Sequence, residues 1–174
     1  MPSLPQYNIR AYHGPDDYCF ISYAHDDSEL VFEEMARLIE RGFNLYYDEG
    51  IHPGHTWHDD LARGIENCQL FILFVTANSV ASSNCQRELN FALDKEKAVL
   101  AIHLEDVSLP SGLQLALGDR QAILKSRFAE SDYHQRVDDA VSDYIKRSSG
   151  EAPPPTRPTP QVSMPTSQPS TGPG

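Results

Sequence analysis

Short, continuous apolar runs alternate along the chain with segments whose apolar residues recur at helical spacing. The first run covers residues 18–23 (YCFISY), and similar runs follow at residues 43–47, 69–75, 98–104 and 121–124. Strands that are apolar throughout, rather than alternately, are typical of a parallel sheet covered by helices on both faces. The pattern therefore predicts an α/β fold of the flavodoxin-like, doubly wound kind, with five parallel strands.

Helical segments separate these strands and follow the last of them. Apolar residues at helical spacing follow Ser28, and Gly42 is expected to end this first helix. Thr56 is a candidate N-cap for the second helix. The third helix comes after a small polar loop and ends near Lys97, and the last is expected over residues 133–145.

Composition divides the chain into three parts. Residues 1–16 are polar and are expected to form a lead-in with little regular structure, whereas residues 17–147 carry the strand and helix pattern. Residues 148–174 hold eight of the 13 prolines, interleaved with Ser, Thr, Gly and Gln. This composition is typical of a disordered, Pro-rich tail or linker. Such a linker would lead to a further domain in a longer parent protein.

Charge and hydropathy argue against two classes of partner. The net charge is −11, and a surface of this sign repels the phosphate backbone of nucleic acids. Because no run of about 18 apolar residues occurs, the sequence predicts no membrane-spanning helix. The three cysteines are an odd number without close pairing, which favours reduced thiols and a cytoplasmic location.

Glu88 is the polar residue that fits its surroundings least. It lies on the edge of a helical apolar stripe made by Cys85, Leu89, Ala92 and Leu93. A carboxylate half inside an apolar face needs a partner or a function. Ligands of α/β sheets bind beyond the carboxyl ends of the strands, where this residue is expected. A solvated glutamate near a helix N-terminus, favoured by the helix dipole, is the alternative.

Three further residues are candidates for the same pocket. Tyr23 ends the first strand and Trp57 opens the second helix, so both rings can flank a planar group by stacking. Core packing is the alternative for Trp57. Asp48 follows the second strand, where its carboxylate would either tether a ligand or shape the loop as an Asx turn.

A histidine-rich stretch follows the second strand. His52, His55 and His58 recur at intervals of three, which resembles the spacing of metal ligands. Pro53 and Gly54 lie between the first two, so no single helix presents all three side chains. We therefore predict no metal site and interpret the stretch as a polar loop.

A phospho-receiver domain would share this architecture. Asp26 and Asp27 after the first strand, and Lys125 after the fifth, suit such a domain. A receiver also needs an aspartate at the end of the third strand, where this chain has residues 76–78 (TAN). The first strand is not followed by a Gly-x-Gly turn either, which disfavours dinucleotide binding of the Rossmann type.

Three segments resemble the conserved boxes of Toll/interleukin-1 receptor (TIR) domains in their bacterial form. Residues 20–27 (FISYAHDD) resemble the first box. Residues 46–57, from YYDE to Trp57, are similar to the second strand and its loop, and Cys85-x-x-Glu88 is similar to the third element. The three segments occur in the family's order, and the resemblance covers roughly residues 17–146.

The resemblance implies an enzymatic function. Many bacterial TIR domains cleave the nicotinamide–ribose bond of NAD+ to give ADP-ribose or a cyclic ADP-ribose, often in anti-phage defence. When the family's motif is matched to this sequence, the resemblance implies that Glu88 is the catalytic glutamate. It also implies that Tyr23, Asp48 and Trp57 line the site. NAD+ is then the substrate, and no cofactor is implied. Members often carry tryptophan where this chain has Asn84.

The resemblance also implies a homo-oligomer held by TIR–TIR contacts. In active members the loop after the second strand completes a neighbour's site. Other members catalyse nothing and act as signalling scaffolds through the same homotypic assembly, which is the alternative function for this chain.

Overall fold

A parallel sheet of five strands forms the centre of the fold. The computed structural model describes residues 9–48, 57–118 and 120–145. The strands are β1 (Cys19–Ser22), β2 (Leu45–Tyr47), β3 (Leu70–Val75), β4 (Val99–His103) and β5 (Gln121–Leu124). They lie in the order β2-β1-β3-β4-β5, and all four adjacent pairs are parallel. The predicted five-stranded, flavodoxin-like sheet is therefore confirmed.

Helices cover both faces of this sheet. They are α1 (Ser28–Glu40), α2 (Trp57–Asn67), α3 (Ala77–Ala81), α4 (Ser83–Asp94), α5 (Ser111–Leu117) and α6 (Glu130–Ser142). Helices α1 and α6 pack on one face, and α2, α4 and α5 pack on the other, so the apolar residues form two separate cores. This is the doubly wound arrangement that the continuous apolar strands predicted.

Strand β1 divides its buried side chains between the two cores. Cys19 and Ile21 face α1, whereas Phe20 faces α2 and α4. Because side chains alternate along a strand, Ser22 points to the same side as Phe20. The strand therefore presents a buried hydroxyl toward α4 at its carboxyl end.

Two elements differ from the sequence prediction. The segment expected to be a polar loop after β3 contains the short helix α3. Thr76 and Ser79 cap it reciprocally, with each side-chain oxygen accepting from the other residue's backbone N–H at 2.9–3.0 Å. The last helix begins at Glu130 rather than at Tyr133, because its first turn is polar and gives no apolar signal.

A buried ion pair joins α1 to the end of β5. The carboxylate of Glu34, only 4% exposed, accepts hydrogen bonds from the Lys125 ammonium at 2.6 Å and the Tyr133 hydroxyl at 2.9 Å. Lys125 is therefore engaged with α1, and β3 is followed by Thr76 instead of an aspartate. The geometry gives the phospho-receiver alternative no support.

Residues 9–16, part of the predicted lead-in, contain no helix or strand but pack along the edge strand β2. The backbone N–H of Tyr12 donates to the carbonyl of Leu45 at 2.8 Å. The Tyr47 hydroxyl donates to the carbonyl of Ile9 at 2.6 Å. This segment therefore covers part of an edge that would otherwise expose unpaired backbone groups.

Several predictions fall on residues outside the described ranges, among them the Pro-rich tail at 148–174 and the cap at Thr56. Across the described ranges, no helix combines the length and the hydrophobicity needed to span a bilayer. The three cysteines, Cys19, Cys68 and Cys85, are buried free thiols.

Candidate active site

A pocket opens at the carboxyl ends of β1, β2 and β3, where the connections after β1 and β3 leave the sheet on opposite faces. Its volume is about 460 Å³, within the usual range for small-molecule sites. The lining residues are Tyr23, Ala24, His25, Asp26, Asp48, Asn78, Ala81, Ser82, Ser83, Asn84 and Glu88. Three of the four predicted site residues, Glu88, Tyr23 and Asp48, are thus brought together.

Glu88 is held in place by strand β1. Its Oε2 accepts a hydrogen bond from the Ser22 hydroxyl at 2.6 Å. Ser22 is only 1% exposed, and its place on β1 puts its side chain on the same face of the sheet as α4. On α4, Cys85 and Leu89 are buried while Glu88 is half-buried, as the apolar stripe predicted. The carboxylate therefore has both a structural partner and an open side.

The environment makes Glu88 unusually easy to protonate. Burial raises its pKa from the ordinary value of 4.5 to about 7. The hydrogen bond from Ser22 opposes this rise because it favours the ionised form, and the negative charge of Asp48 adds to it. A carboxyl poised between its two forms near neutral pH is typical of functional sites and unlike a solvated surface glutamate.

Tyr23 belongs to the core as much as to the pocket. It is 8% exposed, and its ring lies 5.9 Å from the Phe32 ring and 6.4 Å from the Tyr47 ring, centroid to centroid. Its hydroxyl donates to the carbonyl of Asp48 at 3.4 Å. Little of the residue is thus open to a ligand. Burial raises the pKa of Tyr23 well above its usual range, so the hydroxyl stays protonated.

Asp48 and His25 face each other at the mouth of the pocket. The His25 Nε2 lies 3.7 Å from Asp48 Oδ2, and the His25 ring is exposed and 5.3 Å from the Tyr23 ring. The carboxylate of Asp48 therefore reaches across to the loop after β1. It links the ends of two neighbouring strands beside Glu88.

Asp27, which the sequence analysis did not place at the site, ties the loop after β1 to the start of α3. Its carboxylate accepts hydrogen bonds from the Thr76 hydroxyl and, at 2.8 Å, from the side-chain amide of Asn78. Asn78 also lines the pocket. The two bonds fix the turn that carries His25. The partners are 49 and 51 residues apart, so local spacing could not reveal them.

The sequence model of the TIR domain family matches residues 19–140. This chain belongs to the TIR domain family. The matched region runs from the first residue of β1 into α6 and contains every residue that lines the pocket. The membership of the TIR family inferred from the three boxes is therefore confirmed.

Solved structures share the fold of this TIR domain at low identity. The TIR domain of the Toll-related receptor TRR-2 from Hydra magnipapillata is 18% identical with a TM-score of 0.58, covering 72% of this chain and 96% of that one. The TIR domains of the activated Roq1 resistosome, which recognises the pathogen effector XopQ, are 15% identical with a TM-score of 0.57. The match covers 72% of this chain and 99% of that one. The CMP N-glycosidase BcmB from Clostridium botulinum is 17% identical with a TM-score of 0.50, covering 70% and 99%. No curated protein matches the sequence significantly.

The rim of the pocket carries a polar pair at the position where the family resemblance leads us to expect tryptophan. Asn84 lines the pocket, and its side-chain oxygen accepts a hydrogen bond from Arg87 Nη2 at 3.0 Å. Both side chains are exposed. In this TIR domain the rim at Asn84 is therefore hydrophilic and carries a positive charge beside it.

Trp57, the fourth predicted site residue, is the first residue of α2, and its side chain lies outside the described part of the structure. Within the described ranges, no group of three or more His, Cys, Asp or Glu side chains is arranged to hold a metal ion. His52 and His55, from the histidine-rich stretch, fall outside those ranges, whereas His58 lies on α2.

Proposed function

We propose that this TIR domain is an NAD+ nucleosidase, which cleaves the nicotinamide–ribose bond and gives nicotinamide with ADP-ribose or a cyclic ADP-ribose. The observation that carries the proposal is the state of Glu88. Its carboxyl has a pKa of about 7, is bonded to the buried Ser22 hydroxyl and faces a pocket of about 460 Å³. NAD+ is the substrate, and the reaction requires no further cofactor.

The proposed cleavage requires a single carboxylate beside the ribose. As the C–N bond breaks, its electron pair moves to the nicotinamide nitrogen, which is cationic in NAD+ and leaves as neutral nicotinamide. Positive charge builds on the ribose in an oxocarbenium-like transition state. The ionised Glu88 stabilises this charge, most strongly where water is excluded. Water then attacks the anomeric carbon and releases a proton to solvent to give ADP-ribose, or the adenine attacks it to give the cyclic product.

The charge of the pocket supports a cationic substrate group. Three carboxyl groups, those of Asp26, Asp48 and Glu88, lie among the described lining residues, together with one histidine and no lysine or arginine. A positive nicotinamide–ribose group lowers the mutual repulsion of these carboxylates when it enters. The positive charge of the nicotinamide group in NAD+ is therefore complementary to the negative charge of the pocket.

The fold is also compatible with N-glycosidic chemistry. BcmB, which shares the fold, is a CMP N-glycosidase, and the bond between ribose and nicotinamide is of the same N-glycosidic type. For the cell we propose a role in anti-phage defence or signalling, in which consumption of NAD+ or release of a cyclic product is the output. The family resemblance supports this role.

Nicotinamide release tests the proposal directly. Purified protein at high concentration is incubated with NAD+, and the products are separated by chromatography to distinguish linear from cyclic ADP-ribose. We expect Glu88→Gln to lower the rate by about 10²–10³, because it removes charge stabilisation made mainly in the transition state. Glu130→Gln, the same chemical change at an exposed position on α6, serves as the matched control and should leave the rate unchanged.

Two outcomes would contradict the proposal. Equal rates for the wild type and Glu88→Gln would remove Glu88 from the mechanism. Release of cytosine from CMP without release of nicotinamide from NAD+ would keep the bond type but reassign the substrate, so CMP is included as a second substrate in the assay.

We further propose that the domain acts as a homo-oligomer. The TIR domains of the Roq1 resistosome, which share the fold, function within an assembly, and this supports the proposal. Light scattering after size exclusion should show a mass that rises with concentration, and specific activity should rise with it. Assembly without nicotinamide release at any concentration would favour the alternative function, a non-catalytic signalling scaffold.

A further inference from the structure

The acidic pocket attracts the cationic base of a nicotinamide nucleotide and repels its phosphates. Its three carboxyl groups attract a cationic nicotinamide–ribose group but oppose a negatively charged phosphate. Residues 49–56, which follow the described end of the β2 segment, contain no lysine or arginine. The described lining therefore offers no cationic side chain to a phosphate of the substrate, and a basic residue beside the lining would supply the missing charge.

Arg87 is placed to supply that cation. Its guanidinium lies 3.0 Å from the side-chain oxygen of Asn84, which lines the pocket, and the residue is one position before Glu88 on α4. Because a guanidinium has five N–H donors in a planar fork, one bond to Asn84 leaves donors free for a phosphate. Five of the other basic side chains in the described ranges are engaged elsewhere in ion pairs or hydrogen bonds: Arg37, Arg41, Lys95, Lys97 and Lys125.

We infer that Arg87, oriented by Asn84, binds a phosphate of the substrate at the rim of the pocket while Glu88 faces the ribose. For the identity of the substrate this inference rests on the proposed function. It makes the unphosphorylated nicotinamide riboside a poor substrate relative to NAD+. The polar residue at position 84 then takes part in phosphate recognition, in place of an aromatic wall.

Binding of ADP-ribose tests the phosphate site without requiring cleavage. ADP-ribose carries the diphosphate but not the cationic ring, and its affinity is measured by calorimetry. We expect Arg87→Gln to weaken binding about tenfold, a modest effect for a charge-assisted contact at an exposed rim. Arg63→Gln removes the same charge from exposed α2 outside the pocket and should bind ADP-ribose as the wild type does.

A kinetic comparison extends the test to the reaction. The ratio of kcat/KM for NAD+ to kcat/KM for nicotinamide riboside should fall about tenfold in Arg87→Gln and stay constant in Arg63→Gln. Equal ADP-ribose affinity in Arg87→Gln and wild type would overturn the inference, as would equal losses in both variants or no binding by the wild type at millimolar ADP-ribose. Absence of nicotinamide release by the wild type would instead overturn the proposed function.

Discussion

Replacing Glu88 with glutamine should stabilise the protein at alkaline pH while it removes the charge that the proposed reaction needs. The pKa of Glu88 is about 7 in the folded protein, against an ordinary value of 4.5 when the side chain is in water. Below pH 4.5 the carboxyl is protonated in both the folded and the unfolded protein, so it does not lower the free energy of unfolding. Between these values the unfolded chain loses its proton first, so the free energy of unfolding falls by about 1.4 kcal/mol per pH unit.

The size of the effect follows from the width of that interval. The full difference between 4.5 and about 7 corresponds to about 3 kcal/mol, and partial exposure of the side chain reduces it to about 2 kcal/mol. Glutamine has nearly the same shape, and its amide oxygen accepts the hydrogen bond of Ser22, but it does not titrate. Relative to wild type, Glu88→Gln should therefore gain about 2 kcal/mol between pH 5 and pH 8.

Urea unfolding followed by circular dichroism at pH 5, 6, 7 and 8 measures this difference. Glu130→Gln, in which an exposed carboxyl is replaced, should stay parallel to the wild type over the whole range. A parallel curve for Glu88→Gln as well would show that Glu88 is already ionised at pH 5, and the argument from burial would be refuted. A wild type that gains stability relative to the variant toward pH 8 would point to an unrecognised cationic partner.

Three further substitutions test two contacts of the site and one close contact between α2 and β2. Ser22→Ala removes the hydrogen bond that favours the ionised Glu88, so the acidic limb of the kcat/KM profile should move up by about one pH unit; an unmoved limb would show that the bond does not act on the carboxyl. Gly64→Ala places a Cβ 2.6 Å from Cε1 of Tyr46, and thermal unfolding should show a loss of about 1–3 kcal/mol; an unchanged Tm would contradict the close contact. Asp27→Ala leaves the buried hydroxyl at the end of β3 without its acceptor, and should cost about 1–3 kcal/mol in urea unfolding while lowering the rate of nicotinamide release. Full stability in that variant would mean that the loop after β1 is held by other contacts.

The sequence was sufficient where the signal was local. Continuous apolar runs predicted five parallel strands because helices on both faces leave no polar side to such a sheet. The helical stripe through Cys85 and Leu89 predicted the position of Glu88 at its edge, and the end of β2 placed Asp48 at the same side of the sheet. The predicted positions of Glu88 and Asp48 depend only on the periodicity of a single helix and on the common direction of parallel strands.

The contacts that define the site were not predictable in the same way. The bond from Ser22 to Glu88 joins residues 66 positions apart, and it depends on strand order and on the alternation of side chains along β1. The contact between Asp27 and Thr76 spans 49 positions and lies at the N-cap of the short helix α3, which has no apolar period long enough to be recognised. Periodicity reveals which face of an element is buried, whereas these bonds depend on how two distant elements meet.

In the proposed reaction, a pKa near neutral would let Glu88 meet two opposing demands. In the empty pocket, protonation removes the cost of a buried charge. A cationic nicotinamide–ribose group beside the carboxyl favours the ionised form and lowers its pKa, so the proton leaves when the charge is needed. The pH profile of kcat/KM reports the pKa values of the free enzyme, whereas the pH profile of kcat reports those of the enzyme–substrate complex. The acidic limb of kcat should therefore lie at a lower pH than the limb near pH 7 expected for kcat/KM. Coincident limbs would mean that the substrate's charge does not reach Glu88, and the charge-stabilising role proposed for this carboxylate would be refuted.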